Sequence, residues 1–328
     1  MADAGSLLPG LGGGKLGGGL AFSPEPAPAD PPKASILERL EAAARGKPSA
    51  PPPDKAGAQA LWLQAETDRQ RRLSPQTMAL QHRRDLPGQQ FLDEFYAQHR
   101  PVVLEGVAAD WPAIDLWTPE YLARKVGGAP VEFQGGRNSD GDFELLKDNH
   151  RQAMPFDAFI ERICAEGAGN DAYITAYNNG TNAAAFAPLQ ADLGTLDEYL
   201  APGPGMLWIG PVGTFTPLHF DLTNNLLVQI AGLKEVTLIP PSQTHLMYNH
   251  RHVFSEVHDI DSEERLAAFP LAQQATPVAV ILEPGDALFV PFGWWHQVRS
   301  LEFSAMLTYT GFLWPNDPWK TFPQAPAS

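Results

Sequence analysis

A strand, a tight turn and a second strand follow one another in Gly285-Asp286-Ala287-Leu288-Phe289-Val290-Pro291-Phe292-Gly293-Trp294-Trp295-His296. The apolar run at residues 287–290 has the composition of a buried strand, and Pro291 and Gly293 suit a tight turn. The strand after the turn would carry His296 back beside earlier elements. Upstream, the chain contains a second informative stretch, His219-Phe220-Asp221.

His219 and Asp221 can converge on one point if their segment is extended, because side chains at i and i+2 of a β-strand share a face. The preceding residues, Gly213-Thr214-Phe215-Thr216-Pro217-Leu218, are rich in β-formers and lack a helical apolar period. With His296 alongside, the three side chains form a two-His-one-carboxylate ligand set that suits Fe(II) and leaves coordination positions open. A lone His-x-Asp is a weak signal, but the two stretches together predict a metal site.

The composition limits which classes of protein and which kinds of partner are expected for this chain. The 328 residues carry a formal charge of −15, whereas phosphate contacts need clustered Lys and Arg, so we expect nucleic acid to be an unlikely partner. Cys164 is the only cysteine, which excludes an intrachain disulfide and a thiolate metal cluster. We see neither a signal peptide nor an apolar run of about 18 residues, and we therefore expect a cytoplasmic protein without membrane contact. The oligomeric state is left open.

Composition also divides the chain into three parts. Residues 1–57 are rich in Gly and Pro and are predicted to be a flexible tail, because such a segment cannot bury enough apolar surface to fold. Residues 58–170 are predicted to be a helical and mixed part that packs on a barrel, with helices at 89–98, after Thr118 and near 156–164 and strands that include 131–134 and 143–147. Residues 171–328 contain short apolar runs separated by Gly, Pro and Asn. This pattern predicts a mainly β fold, a double-stranded β-helix with an insertion near 242–276.

Several motifs together resemble one known family. The spacing Gly285-x5-Pro291-x-Gly293-x2-His296-x3-Ser300 matches the second cupin motif, with Ser300 where that motif usually has Asn. Further matching stretches are Arg100-Pro101-Val102-Val103-Leu104-Glu105-Gly106, Asp110-Trp111-Pro112 and Ile239-Pro240-Pro241. Residues 91–315 thus resemble the JmjC-type cupin family of Fe(II)- and 2-oxoglutarate-dependent oxygenases, especially its small cupin-like hydroxylases. The resemblance implies a jelly-roll (cupin) core with flanking helices, Fe(II), 2-oxoglutarate and O2, and dioxygenase activity on a protein side chain or small molecule.

The resemblance also implies which residues bind the cosubstrate. Lys234 stands where the family has a lysine, and its charge would pair with the distal carboxylate of 2-oxoglutarate. Thr216 and Asn225 stand three residues before and six residues after the first metal histidine, as in the family. Tyr173 resembles a tyrosine of an earlier strand that binds the same carboxylate.

Other interpretations stay open. One alternative is a Zn(II) or Mn(II) cupin acting as an isomerase or hydrolase, which has no need of a lysine for a dicarboxylate. Another is a non-catalytic cupin binding module, against which the intact ligand set argues. A second histidine-rich stretch, with His245, His250, His252 and His258, is expected to be a polar insertion loop rather than a metal site. Whether this loop contacts the substrate is left open.

Overall fold

The computed structural model describes residues 55–73, 79–139, 141, 143–175, 180–250 and 252–323. The predicted tail, residues 1–57, lies outside these residues except for its last three. Those three begin a helix, α1, which spans Lys55–Arg71.

Two facing β-sheets form the centre of the molecule. The thirteen strands of the described residues are β1 (Gln81–Arg83), β2 (Val102–Leu104), β3 (Pro130–Gly135), β4 (Arg151–Pro155), β5 (Ala172–Tyr173), β6 (Met206–Gly210), β7 (Phe215–Phe220), β8 (Asn225–Ala231), β9 (Lys234–Ile239), β10 (Val278–Leu282), β11 (Ala287–Val290), β12 (Trp295–Ser300) and β13 (Ser304–Tyr309). The larger sheet has the order β1-β2-β11-β8-β13-β6, the smaller has β10-β9-β12-β7, and a third sheet has β4-β3-β5. This architecture confirms the predicted mainly β fold with a double-stranded β-helix core.

Helices flank the sheets. Besides α1 they are α2 (Gly88–Phe91), which continues as a π-helical turn at Leu92–Tyr96, α3 (Pro112–Leu116), α4 (Pro119–Val126), α5 (Phe156–Glu166), α6 (Gly180–Phe186) and α7 (Glu263–Ala268). Short 3₁₀ helices lie at Arg137–Ser139, Ala187–Asp192, Pro241–Leu246, Pro270–Gln274 and Pro318–Thr321. Helix α4 begins as predicted, with the Thr118 hydroxyl accepting from the Tyr121 amide at 3.2 Å. None of the helices described here combines the length and apolarity that a membrane crossing requires.

The larger sheet is buried on both faces. Strand alternation points Leu226, Val228 and Ile230 of β8 toward the flanking helices, where they join the main apolar core. Leu227 points the other way, into the barrel, and packs with apolar side chains of both sheets such as Val236 and Met306. A sheet held on both sides is rigid, so polar side chains placed inside the barrel keep their positions.

The segment between β9 and β10 is fastened to the outer face of the smaller sheet. Gln297, which points outward from β12, donates to Asp259 at 3.0 Å and to Asp261 at 2.7 Å and accepts from the Ile260 amide at 2.8 Å. The same segment forms an isolated antiparallel bridge between Phe254 and His219. It therefore lies directly against the strand that carries the first predicted metal ligand.

The prediction of a strand at residues 143–147 is wrong. These residues form turns, and the strand that pairs with β3 is β4, at Arg151–Pro155. Phe143 lies beneath the Arg137 guanidinium, with 4.3 Å from its ring centroid to Cζ, and Glu144 forms an ion pair with Arg137. Interactions with a single buried arginine therefore override the strand propensity of this segment.

Candidate metal site

His219, Asp221 and His296 lie together at one end of the barrel. Each offers one ligand atom, and the three atoms lie within 4.8 Å of one another. Strands β7 and β12 pair so that His296 is directly opposite His219, and Asp221 follows the end of β7. His219 Nε2 is 4.0 Å from Asp221 Oδ1, and His296 Nε2 is 3.8 Å from Asp221 Oδ2. The structure thus brings together the three residues that the sequence predicts to share one metal site.

Backbone carbonyls orient both imidazole rings. His219 Nδ1 lies 2.7 Å from the Pro217 carbonyl oxygen, and His296 Nδ1 lies 3.0 Å from that of Trp294. With Nδ1–H donating to these carbonyls, each Nε2 keeps its lone pair and faces Asp221. Metal-binding histidines are commonly held in this way by a hydrogen bond from the other ring nitrogen.

Burial also favours the neutral form of one ligand. Desolvation, together with the neighbouring His219, lowers the pKa of His296 to about 4, against the opposing effect of Asp221. A neutral imidazole is the form that binds a metal ion.

A β-bulge in β7 brings Thr216 to the face of the sheet that carries His219. Val298 pairs with Thr216 while His296 pairs with His219, so two residues of β7 lie opposite the single residue Gln297. Because Val298 and His296 point into the barrel, Thr216 lies on the inner face as well.

Lys234 lies inside the barrel without an acidic partner. Its side chain is 0% exposed, and its Nζ donates to the Tyr173 hydroxyl at 3.0 Å. Among the described residues, no carboxylate lies within ion-pair distance of it. Burial, together with the nearby Arg137, lowers the pKa of Lys234 to about 7. A buried ammonium without a counterion is costly, so the pocket is suited to an anion.

The position of Tyr173 depends on a glycine of the neighbouring strand. A Cβ atom on Gly210 would come within 2.6 Å of Tyr173 Cδ2 and of Thr214 Oγ1. The Tyr173 ring therefore occupies the space that a side chain on β6 would take. Trp208 packs beside it, with ring centroids 5.8 Å apart.

Asn225 lies beside the metal site. Its Nδ2 donates to Asp221 Oδ2 at 3.0 Å, and its Oδ1 is buried and has no hydrogen-bond partner among the described residues. Of the four residues predicted to bind the cosubstrate, the structure joins Lys234 to Tyr173 and places Thr216 on the inner face, whereas Asn225 contacts a predicted metal ligand.

Sequence reasoning missed Arg137. This residue is buried, and its guanidinium donates to Glu144 and to the Phe215 carbonyl, both at 2.9 Å. Its Cζ lies 5.0 Å from the Tyr173 ring centroid, so two basic side chains contact the same tyrosine. No periodic pattern surrounds Arg137, and only its basic character in a Gly-rich turn could have drawn attention to it.

The histidine-rich stretch does not form a second metal site among the described residues, where the His219 group is the only such cluster. His252 packs against Phe322, while His245 and His250 are exposed. Phe254, from the same loop, stacks on His219 with ring centroids 5.8 Å apart. The loop therefore borders the candidate site without adding a ligand.

Trp294 and Trp295, which precede His296, have different environments. Trp295 is fully buried beneath the loop between β9 and β10 and donates its Nε1 to Thr244 at 2.9 Å. Trp294 is half-buried and lines a cavity of about 520 Å³ together with Leu238 and residues of α1. No member of the His219 cluster lines this cavity.

Two facing sheets that hold a buried His-Asp-His cluster at one end define the cupin class of metal-binding folds. The chain belongs to the cupin-like domain family, of the JmjC type, whose pattern it matches over residues 87–310. Two similar proteins are Lysine-specific demethylase 8 of Xenopus tropicalis, 30% identical over 232 residues, and Lysine-specific demethylase JMJ30 of Arabidopsis thaliana, 30% identical over 238 residues. A third is tRNA wybutosine-synthesizing protein 5 of Danio rerio, 31% identical over 236 residues.

These alignments cover different shares of the relatives. They include 67%, 69% and 67% of this chain, in the same order, and 49%, 52% and 71% of the relatives. The chain therefore spans about half the length of the two demethylases.

Proposed function

We propose that this chain is an Fe(II)- and 2-oxoglutarate-dependent dioxygenase that hydroxylates a protein side chain or a small molecule. The observation that carries the proposal is that one barrel contains both a two-His-one-carboxylate cluster and a buried lysine, Lys234, that has no acidic partner among the described residues. Family membership supports the same activity.

The cluster fits an iron ion in donor chemistry and in spacing. Two imidazoles and a carboxylate are the ligands of non-haem Fe(II) oxygenases. Metal–ligand bonds of about 2.0–2.2 Å place neighbouring ligand atoms about 3 Å apart. The observed separations of 4.0 and 3.8 Å from Asp221 to the two histidines need only small side-chain movements to reach that value.

The pocket around Lys234 fits a dicarboxylate cosubstrate. The 2-oxo acid end of 2-oxoglutarate would bind an iron ion held by the His219 cluster. Its distal carboxylate would pair with the ammonium group of Lys234. The distal carboxylate would give Lys234 the counterion that it lacks among the described residues, and the Tyr173 hydroxyl already contacts Nζ at 3.0 Å. Charge-assisted hydrogen bonds of this kind are among the stronger ones in proteins.

The proposed roles of the side chains follow from these positions. When bound, Fe(II) and 2-oxoglutarate supply the oxidising chemistry, in which O2 is consumed, succinate and CO2 are released, and a C–H bond is hydroxylated. His219, Asp221 and His296 would hold the ion on one face, and Lys234, Tyr173 and Thr216 would position the cosubstrate. Asn225 would orient Asp221 and offer its free Oδ1 toward the same end of the barrel. The protein itself contributes positioning and the exclusion of competing reactions.

The other two interpretations are less well supported. A Zn(II) or Mn(II) isomerase or hydrolase gives no reason for a lysine buried in the same barrel as the metal site. A binding module without catalysis does not require both histidines to be oriented through Nδ1 with Nε2 toward Asp221.

The substrate is the least constrained part of the proposal. The expectation that nucleic acid is an unlikely partner is not supported, because one of the similar proteins is named for wybutosine synthesis in tRNA. The demethylases are named for lysine. A protein side chain or a small molecule remains our proposal, and the substrate search includes a tRNA fraction.

The activity is tested by succinate release from Fe(II)-loaded protein and 2-oxoglutarate. We expect turnover by the wild type and none by the His219→Ala variant. The exposed His245, outside the cluster, provides the control, and His245→Ala should retain wild-type turnover. Succinate release that persists in His219→Ala would refute the assignment, and conversion of a substrate without 2-oxoglutarate under anaerobic conditions would favour the isomerase or hydrolase.

The substrate is sought with the same protein. Protein, small-molecule and tRNA fractions of a cell extract are incubated separately with enzyme and cosubstrate, and mass spectrometry searches for one added oxygen atom. His219→Ala serves as the blank in each fraction. A product found only in the tRNA fraction would overturn the proposed substrate class but not the reaction type.

A further inference from the structure

Ser300, the last residue of β12, lies opposite Lys234 on the neighbouring strand β9. The two residues are direct partners in the antiparallel pairing of β12 with β9. Side chains of such a pair stand on the same face, with Cβ atoms about 4.5–5.5 Å apart. Val298 and His296 precede Ser300 at intervals of two residues and point into the barrel, so Ser300 points inward as well.

The Ser300 hydroxyl has no hydrogen-bond partner among the described residues. The residue is 2% exposed, and Oγ is one of the buried side-chain oxygens left unsatisfied. The backbone of Ser300 is fully engaged, because its amide donates to Thr214 and its carbonyl accepts from Gly213, both at 2.8 Å. A buried hydroxyl that lacks a partner is unfavourable, and such groups in native proteins commonly indicate an absent ligand or water.

The unsatisfied hydroxyl and the ammonium without a counterion thus belong to neighbouring, inward-facing residues. A carboxylate beside Lys234 has two oxygens and about four lone-pair sites, which is more than one ammonium fills. A hydroxyl from the next strand can donate to a lone pair that Lys234 and Tyr173 leave unused.

We propose that the Ser300 hydroxyl donates a hydrogen bond to the distal carboxylate of the cosubstrate and is a positioning residue for that end of the molecule. This inference rests on the proposed function, since it assumes that 2-oxoglutarate is the cosubstrate. It assigns a role to the position at which the second cupin motif usually has Asn. Serine there is short enough to leave room for the carboxylate and retains a donor.

The test measures cosubstrate binding rather than turnover. Mn(II)-loaded protein is titrated calorimetrically with 2-oxoglutarate and with 2-oxopentanoate, which has the same chain length but no distal carboxylate. We expect Ser300→Ala to weaken 2-oxoglutarate binding about tenfold or more and to leave 2-oxopentanoate binding unchanged, because a hydrogen bond to a charged group is lost. Ser300→Thr keeps the hydroxyl and should restore most of the affinity.

Stability in the absence of ligand gives a second, independent readout. Ser300→Ala removes an unsatisfied buried hydroxyl, so the variant should be at least as stable as the wild type. Ser255 provides the matched control, because it is equally buried and its hydroxyl already donates to the Met247 carbonyl at 2.6 Å. Ser255→Ala should therefore lose stability and keep its affinity for 2-oxoglutarate.

The outcomes separate this inference from the proposed function. If the wild type does not bind 2-oxoglutarate, the proposed function fails and this inference fails with it. If the wild type binds, Lys234→Met does not, and Ser300→Ala binds as tightly as the wild type, only the role of Ser300 is overturned. A loss that is equal for both ligands would likewise overturn it, because the distal carboxylate would not be involved.

Discussion

Asn225 donates its side-chain amide to Asp221 at 3.0 Å, from the first residue of the strand that follows the metal-binding segment. This hydrogen bond restrains the only anionic member of the candidate metal site. Asp221 stands just past the end of β7, the edge strand of the smaller sheet, so its carboxylate depends on a neighbour for its orientation.

Asn225→Ala should therefore weaken metal binding. Loss of a residue that orients a metal ligand costs about 10–100-fold in metal affinity. Competition with a chelating dye for Mn(II) measures the effect. Asn182 is also buried but bonds the Glu132 backbone in the third sheet, so Asn182→Ala should leave the metal affinity unchanged. Equal affinities of Asn225→Ala and the wild type would show that Asp221 needs no such support.

Lys234→Met should stabilise the ligand-free protein while abolishing 2-oxoglutarate binding. The variant removes a buried ammonium without a counterion and keeps an apolar side chain of similar length. At pH 7 we expect the melting temperature to rise by about 3 °C or more, which corresponds to roughly 1 kcal/mol in a protein of this size. Differential scanning calorimetry at several pH values measures the change.

The pH dependence of this difference has a definite sign. Lys234 has its folded pKa lowered to about 7, below the 10.5 of an unperturbed lysine. Between these values the unfolded wild type binds one more proton than the folded form, so wild-type stability rises with pH. The advantage of Lys234→Met should be largest at pH 7 and below and shrink toward pH 10. Lys320→Met, at an exposed site, should show no such trend, and a constant difference would contradict a lowered Lys234 pKa.

Gly210→Ala should displace Tyr173 and weaken cosubstrate binding. The added methyl would come within 2.6 Å of the tyrosine ring, so the ring or the strand must move. Overpacking of this kind costs about 1–3 kcal/mol of stability. Chemical denaturation and calorimetric titration with 2-oxoglutarate measure the two effects. A Cβ at Gly203 would meet nothing within 4 Å, so Gly203→Ala is the control, and unaltered 2-oxoglutarate affinity in Gly210→Ala would rule out a positional role for Tyr173.

The buried pair of Arg137 and Glu144 should show strong coupling in a double-mutant cycle. Their side chains are 0% and 12% exposed, and removing one partner of a buried ion pair costs about 3–5 kcal/mol. Arg137→Met and Glu144→Met should each destabilise the protein, and the double variant should recover part of the loss. Urea denaturation of the four proteins measures the coupling. A double variant that loses the full sum of the single effects would mean that the pair acts independently.

The sequence predicts those parts of the site that follow from local strand geometry. His219 and Asp221 are two residues apart, and the Pro291 to Gly293 turn returns the chain beside them, so short-range patterns are sufficient. The position of Lys234 follows from the family resemblance, and it points inward because it alternates with Val236 and Leu238 on β9.

Other parts depend on contacts between distant segments and could not be predicted. Arg137 reaches the site from a turn between β3 and β4, and its partner Glu144 lies in a segment whose composition predicted a strand. Helix α1 was also missed, although Asp68 on it accepts hydrogen bonds from Ser242 and Gln243 of the 3₁₀ helix after β9, at 2.9 and 3.0 Å. These interactions join residues far apart in the chain, and no local period encodes them.

The bulge in β7 has a consequence for protein engineering and for the alignment of distant homologues. Removing either Pro217 or Leu218 would leave an ordinary strand in which Thr216 and His219 stand two residues apart and still share the inner face of the sheet. A strand shortened by one residue could therefore keep both side chains inside the barrel, whereas a strand of the present length does so only with its bulge. A one-residue gap placed at this point in an alignment therefore marks the loss of the bulge and not a rebuilt barrel interior.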